Sequence, residues 1–250
     1  MTARTIQAEK FYKKLQKKFS RRINLDRSRI FFALKKFNID PNHDLPGKVL
    51  QVIGSDGKNT VVQSLKSILI GNKKNITTFT SPAIISPLDR IFIKKKFITL
   101  KKFKAVSKKI IRSKVKLTLF EILTLIYIKS LKNVKNIDYY INEAGCGWDK
   151  DSTNLFDYPK AQIITNLNLQ HKDLLGAKNI RDICRIKCGS LSNQTNIYIG
   201  KQNPKTLKII KNFLNKNYSN KYYYGKDFRI KKFKNYFLYS DNKGNLKLKA

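Results

Sequence analysis

The segment that most constrains this chain is Val49-Leu50-Gln51-Val52-Ile53, which runs directly into Gly54-Ser55-Asp56-Gly57-Lys58-Asn59-Thr60. A short, almost wholly apolar run bounded by glycine reads as a buried strand. From Lys58 the spacing changes, and Val61, Leu65, Ile68 and Leu69 fall on one helical face. Strand, glycine-containing turn and helix in that order leave the first N–H groups of the helix without partners inside it. Such a turn can present those groups, and the positive helix end, to a phosphate. Lys58 adds a mobile positive charge and Thr60 a hydroxyl near phosphate or metal. The pattern departs from G-x-x-x-x-G-K-[ST] because Asn59 separates Lys58 from Thr60. Taken alone, the loop could equally be a surface turn.

The rest of the chain repeats the alternation. Residues 1–22 read as a basic, partly helical leader, and 26–38 as a helix capped by Asp26, followed by a loop bracketed by Pro41 and Pro46. Ile76–Thr80, Ile137–Asn142, Ala161–Asn166 and Thr195–Ile199 read as strands. Helices are expected after Thr99, over Leu117–Leu131, and near 179–187 and 204–215. Alternating strands and helices predict a three-layer α/β fold with a mostly parallel sheet. Tyr222–Phe228 and Tyr236–Leu248, with Asp241-Asn242-Lys243-Gly244 as a turn, predict a small antiparallel β appendage.

Charge is the second constraint. The 250 residues carry 53 Lys plus Arg against 16 Asp plus Glu, a net +37 that invites a nucleic-acid reading. Yet 43 of the cations are Lys and 10 are Arg, and they are spread from Lys10 to Lys249. Arg is favoured for bidentate phosphate and base reading. Abundant Lys, Asn and Ile instead fit A/T-biased coding, so no specific nucleic acid is expected. The longest apolar run, near Leu117–Ile128, is broken by Glu121 and falls short of the ~18 residues of a membrane span. The first residues, charged from Arg4, hold no apolar signal core, and three cysteines make no disulfide framework. A cytoplasmic protein with no membrane association is expected.

Ser81, Glu143 and His171 each follow a strand, at the sheet edge where open parallel sheets bind ligands. A hydroxyl, a carboxylate and an imidazole there could hold Mg²⁺ beside phosphates, although His171 could also be an ordinary loop residue. Cys184 and Cys188, four apart, read as packing residues rather than zinc ligands. Trp148 either stacks on a ligand ring or fills space.

In order along the chain, these segments resemble the folylpolyglutamate synthase and dihydrofolate synthase family, relatives of the Mur ligases. Gly54–Thr60 is similar to its G-T-N-G-K-G-S loop, Thr80-Ser81-Pro82 to T-S-P, and Asp89-Arg90-Ile91 to E-R-I. Leu117–Glu121 resembles L-T-x-F-E, and Glu143–Trp148 through Asp151–Asn154 resembles E-V-G-x-G-G followed by D-[AS]-T-N. Leu169-Gln170-His171 is similar to L-D-H, and Ile186–Gly189 to the K-A-G segment.

The resemblance implies an ATP-dependent amide ligase. The carboxylate of dihydropteroate or a folate becomes an acyl phosphate, which the amino group of L-glutamate displaces. It implies that Gly54, Ser55, Asp56, Gly57, Lys58, Asn59 and Thr60 bind ATP phosphates, with Lys58, Lys187 and His171 catalytic. It further implies Mg²⁺ on Ser81, Glu143 and His171, a carbamylated Lys187, and a substrate loop with Pro82, Asp89 and Arg90, in a monomeric protein. Asn59 and Trp148 stand where the family has Gly, and Gln170 where it has Asp.

The expected organisation is a basic helical segment at 1–40, an ATP-binding core at 41–200, and the C-terminal part of the same domain at 201–250. The family's C-terminal glutamate-ligase domain, with its H-Q-x-x-N segment before it, is absent from these residues. The alternatives are a truncated or degenerate homologue that binds nucleotide without ligating, and a basic nucleic-acid-binding protein on a ligase-derived fold.

Overall fold

The structure is a computed structural model that describes residues 2–20, 25–45 and 47–249. Pro46 and the end of the basic leader lie outside the described residues. Helices α1 (Ala3–Lys18) and α2 (Arg27–Lys36) start the chain, and the Asp26 side chain caps α2 by accepting from the Ser28 N–H. A short turn of helix, α3 (Pro41–Asp44), leads to the central strand β1 (Lys48–Ile53), buried from its second residue onward.

Helix α4 (Lys58–Gly71) returns along the sheet to β2 (Ile76–Phe79), and a 3-10 turn at Pro87–Arg90 leads into β3 (Ile91–Ile93) and β4 (Lys96–Phe97). Helices α5 (Leu100–Arg112) and α6 (Leu119–Leu131) precede β5 (Tyr139–Glu143) and β6 (Ala161–Ile164). Then come α7 (Lys172–Leu175), α8 (Ile180–Cys188), β7 (Asn196–Ile199), α9 (Pro204–Leu214) and β8 (Asn220–Tyr223). The sheet order is β4-β3-β2-β5-β1-β6-β7-β8, parallel except for β3 and β4. Strands β9 (Phe228–Lys232), β10 (Tyr236–Asp241) and β11 (Gly244–Lys249) form a separate antiparallel sheet.

Alternation along β1 explains the layers. Leu50 and Val52 pack with Val62 of α4 on one face, whereas Val49 and Ile53 join the clusters built by the other helices. Thr99 and Thr118 cap α5 and α6, and α6 is buried along almost its whole length. The apolar face of α4 differs from the expected one. Val62 is its buried residue, Val61, Leu65 and Leu69 pack half-buried, and Ile68 is exposed.

Two elements depart from the sequence reading. Residues 220–223 do not belong to the antiparallel appendage. They join the main sheet as a parallel edge strand, with Tyr222 stacked on Tyr198 of β7 at 4.9 Å between ring centroids. The β3–β4 hairpin was also not anticipated. It is too short to show an alternating pattern, and its turn is marked only by Lys94 in a left-handed conformation (φ 58°). Among the described residues no helix is long and apolar enough to cross a membrane.

Candidate functional site

The loop between β1 and α4 is tied to the next strand over. Ser55 and Asp56 donate their N–H groups to the Asn166 carbonyl at 2.8 and 3.3 Å. A Cβ on Gly54 would lie 1.8 Å from Thr165 Oγ1, so strand β6 passes too close for any side chain there. Gly57 takes φ 78° just before α4, a left-handed turn that glycine adopts without strain. Lys58 Nζ lies over the loop, donating to the carbonyls of Gly54 (3.0 Å) and Ser55 (3.1 Å).

A cavity of about 500 Å³ opens beside this loop. Ser55, Asp56, Gly57, Lys58 and Asn59 form one wall, and Ser81, Pro82, Glu143 and His171 face them. The sheet therefore brings together residues up to 116 positions apart, from Ser55 to His171. Glu143, at the end of β5, is buried. Its Oε2 accepts from the Ser81 N–H (3.0 Å) and Asn59 Nδ2 (3.2 Å), and no described residue donates to its Oε1. Burial raises the Glu143 pKa; the Ser81 N–H, Asn59, Lys58 and Arg90 oppose the rise. Arg90 is buried behind the wall and donates to Ser81 Oγ at 3.1 Å, so it orients Ser81.

Other expected residues sit elsewhere. Thr60 is exposed and outside the cavity wall, and Asn59 takes the place beside Glu143. Asp89 accepts from the N–H groups of Ile85 and Ser86 and so caps the 3-10 turn. Trp148 is fully buried and donates to the Ser190 carbonyl, so it fills core space rather than stacking on a ligand. Cys184 and Cys188 are buried packing residues.

Lys187 lies behind the loop. Its Nζ donates to the carbonyls of Gly54 (2.9 Å) and Cys146 (2.6 Å), and the side chain is buried. Burial and then the Lys58 charge lower its pKa to about 8, with Asp151 opposing. The ammonium donates to both carbonyls, whereas a carbamate would keep one N–H on Nζ, enough for one of them.

The far wall holds residues the sequence reading left without a partner. Glu121 receives Arg29 Nη2 at 2.6 Å and Nε at 3.1 Å, and accepts from the Thr118 N–H at 2.6 Å. Buried Asp151 accepts from the N–H groups of Gly145 and Thr153 and from the Thr153 hydroxyl. Its pKa is raised by burial. The D-S-T-N motif marked Asp151, but nothing local marked Arg29, which is 92 positions from Glu121.

The fold and this cavity define an open, mostly parallel α/β domain, with a glycine-containing loop after the central strand and a carboxylate beside it, at the sheet edge where such folds take ligands. No protein-family model matches the chain. Sequence comparison nevertheless makes it a homologue of the dihydrofolate synthase/folylpolyglutamate synthases. The Buchnera aphidicola enzyme of that name (Acyrthosiphon pisum strain) is 30% identical over 175 residues, which cover 66% of this chain and 41% of the relative. The Haemophilus influenzae one is 30% identical over 195 residues, covering 77% and 43%. The chain thus spans less than half the length of these relatives.

Among solved structures, E. coli FolC in complex with DHPP and ADP matches with a TM-score of 0.83 at 23% identity, over 96% of this chain and 56% of that one. An FPGS-AMPPCP-folate complex matches equally, with a TM-score of 0.83 at 22% identity over 96% and 60%. These likenesses establish the shared fold.

Proposed function

We propose that this chain binds ATP and Mg²⁺ for an ATP-dependent ligase that joins L-glutamate to dihydropteroate or folate through an acyl phosphate. The observation that carries this reading is the convergence of the Ser55–Asn59 loop, Ser81, Glu143 and His171 on one cavity. The names of the relatives support it, and so do the nucleotide and folate complexes of the structural neighbours.

The donor set suits Mg²⁺. Glu143 offers a carboxylate oxygen that no described donor occupies, Ser81 offers a hydroxyl, and Mg²⁺ binds one or two such groups together with phosphates and water. His171 would complete the set as the less typical ligand. When bound, the ion neutralises charge on the transferring phosphoryl group.

The chain's own groups account for the rest of the binding. The Gly57–Lys58 turn presents N–H groups of the α4 end, and Lys58 Nζ turns from the Gly54 and Ser55 carbonyls to the phosphates. Lys187 holds the Gly54 carbonyl from behind, and Arg90 keeps Ser81 oriented. Pro82 borders the substrate side of the cavity, whereas Asp89 acts on the fold of that loop.

We assign residues 1–40 to a basic helical segment, 41–200 to the ATP-binding core and 201–250 to the end of the same domain. Three free thiols suit a reducing compartment and support a cytoplasmic location; we propose a monomer as well.

Calorimetry of Mg·ATP binding tests the reading. Wild type is expected to bind in an Mg²⁺-dependent way and Lys58→Ala to lose most of that affinity. Dihydropteroate- and glutamate-dependent phosphate release then tests ligation. Wild type without Mg²⁺-dependent binding would sink the proposal.

A further inference from the structure

Beyond the backbone bridge of Ser55 and Asp56 to Asn166, the stretch that leads to His171 is held to the phosphate loop by side chains. Ser55 Oγ donates to the Asn168 carbonyl and accepts from the Asn168 N–H, each at 3.1 Å. The Asp56 carboxylate is divided between two amides: Gln170 Nε2 donates to Oδ1 at 2.6 Å, and Asn168 Nδ2 donates to Oδ2.

A carboxylate in a loop that receives phosphates is electrostatically adverse unless its charge is met, and here both of its oxygens have donors. Gln170 is the last residue before His171, which takes φ 54° and opens α7. The His171 imidazole makes no hydrogen bond to a described residue, yet it lines the cavity. Its place is therefore set through the backbone next to Gln170. A glutamate at position 170, the same length as Gln170, would face Asp56 at hydrogen-bond distance with no donor between them, and the two segments would part.

We propose that Asp56 and Gln170 are positioning residues, a matched acceptor and donor that fix His171 against the phosphate loop. This rests on the nucleotide reading of the same site. The pair is defined by complementarity, so exchanging its chemistry at constant length should preserve it: Asn at 56 and Glu at 170 again give one donor and one acceptor.

The test compares the full chain with Asp56→Asn, Gln170→Glu and the double variant. Hydrogen exchange over residues 166–171 and the Kd for Mg·ADP are both measured. Gln170→Glu is expected to speed exchange in that stretch and to weaken Mg·ADP about tenfold, as for charged neighbours in one network. The double variant should return both values to within about twofold of wild type. A purely structural loss at position 170 would not be repaired by a second change at 56. Unchanged exchange in Gln170→Glu, or a double variant no better than Gln170→Glu, overturns the proposal. Wild type that fails to bind Mg·ADP defeats the nucleotide reading instead, and the exchange rates still decide the clasp.

Discussion

Lys187 Nζ donates to the Gly54 carbonyl at 2.9 Å across 133 positions of chain, and Lys58 Nζ donates to the same oxygen at 3.0 Å from the other side. Two ammonium groups thus share the carbonyl that ends the central strand. The buried one, Lys187, is the one whose proton is loosened.

That loosening has a pH signature. The folded pKa of Lys187 is about 8 and its ordinary value is 10.5, so between them the unfolded chain holds a proton that the folded chain has released. Stability then rises with pH across this window. Urea denaturation of wild type and Lys187→Met near pH 7.5 and pH 10 is expected to show wild type gaining relative to the variant at the higher pH. A pH-independent difference would contradict it.

Glu143 should trade stability for binding. Its folded pKa lies above the ordinary 4.5, so its ionised form opposes folding as pH rises through the folded value. Glu143→Gln keeps an acceptor for Ser81 and Asn59 and removes the buried charge. In EDTA at neutral pH the variant is expected to melt above wild type, by roughly 2–4 °C for each kcal/mol relieved. Addition of Mg·ATP should raise the melting temperature of wild type only.

Gly54→Ala places a Cβ 1.8 Å from Thr165 Oγ1. The expected cost is about 1–3 kcal/mol, the range for overpacking, and calorimetry reads it as a lower melting temperature. Thr165→Ala in the same background removes the clashing hydroxyl but leaves the backbone of β6 close by, so it should recover part of the loss. A melting temperature equal to wild type in Gly54→Ala would contradict the close approach.

Glu121→Ala removes a buried carboxylate that receives Arg29 and caps α6. A loss of about 1–3 kcal/mol is expected, because the charged hydrogen bonds to Arg29 and the α6 cap go together. Glu121→Gln still accepts from the Thr118 N–H and should cost less. Equilibrium denaturation of the two variants separates the charge from the cap.

Much of the architecture was legible because it is local. The caps Asp26 and Thr99 and the apolar run of β1 act within a few residues of themselves, and each appears where its pattern placed it. Residues 220–223 were misread for the opposite reason. A tyrosine-rich strand looks the same whether it joins a hairpin or the edge of a parallel sheet, and the stacking of Tyr222 on Tyr198 favoured the sheet. The α4 helix turn carries Thr60 to the exposed side and leaves Asn59 towards Glu143, which the motif alone does not show.

By itself the sequence determined the strand–loop–helix unit, the alternation that makes a parallel sheet, and the candidates Lys58, Ser81, Glu143 and His171. These follow from propensity, periodicity and short motifs, which operate over one or two turns of chain. Only the tertiary structure decided that Lys187 supports the loop from behind, that Arg29 meets Glu121, and that Gln170 meets Asp56. Those pairs depend on which strand lies beside which. Strand order is set by burying the whole sheet between its helices, a condition no single segment expresses.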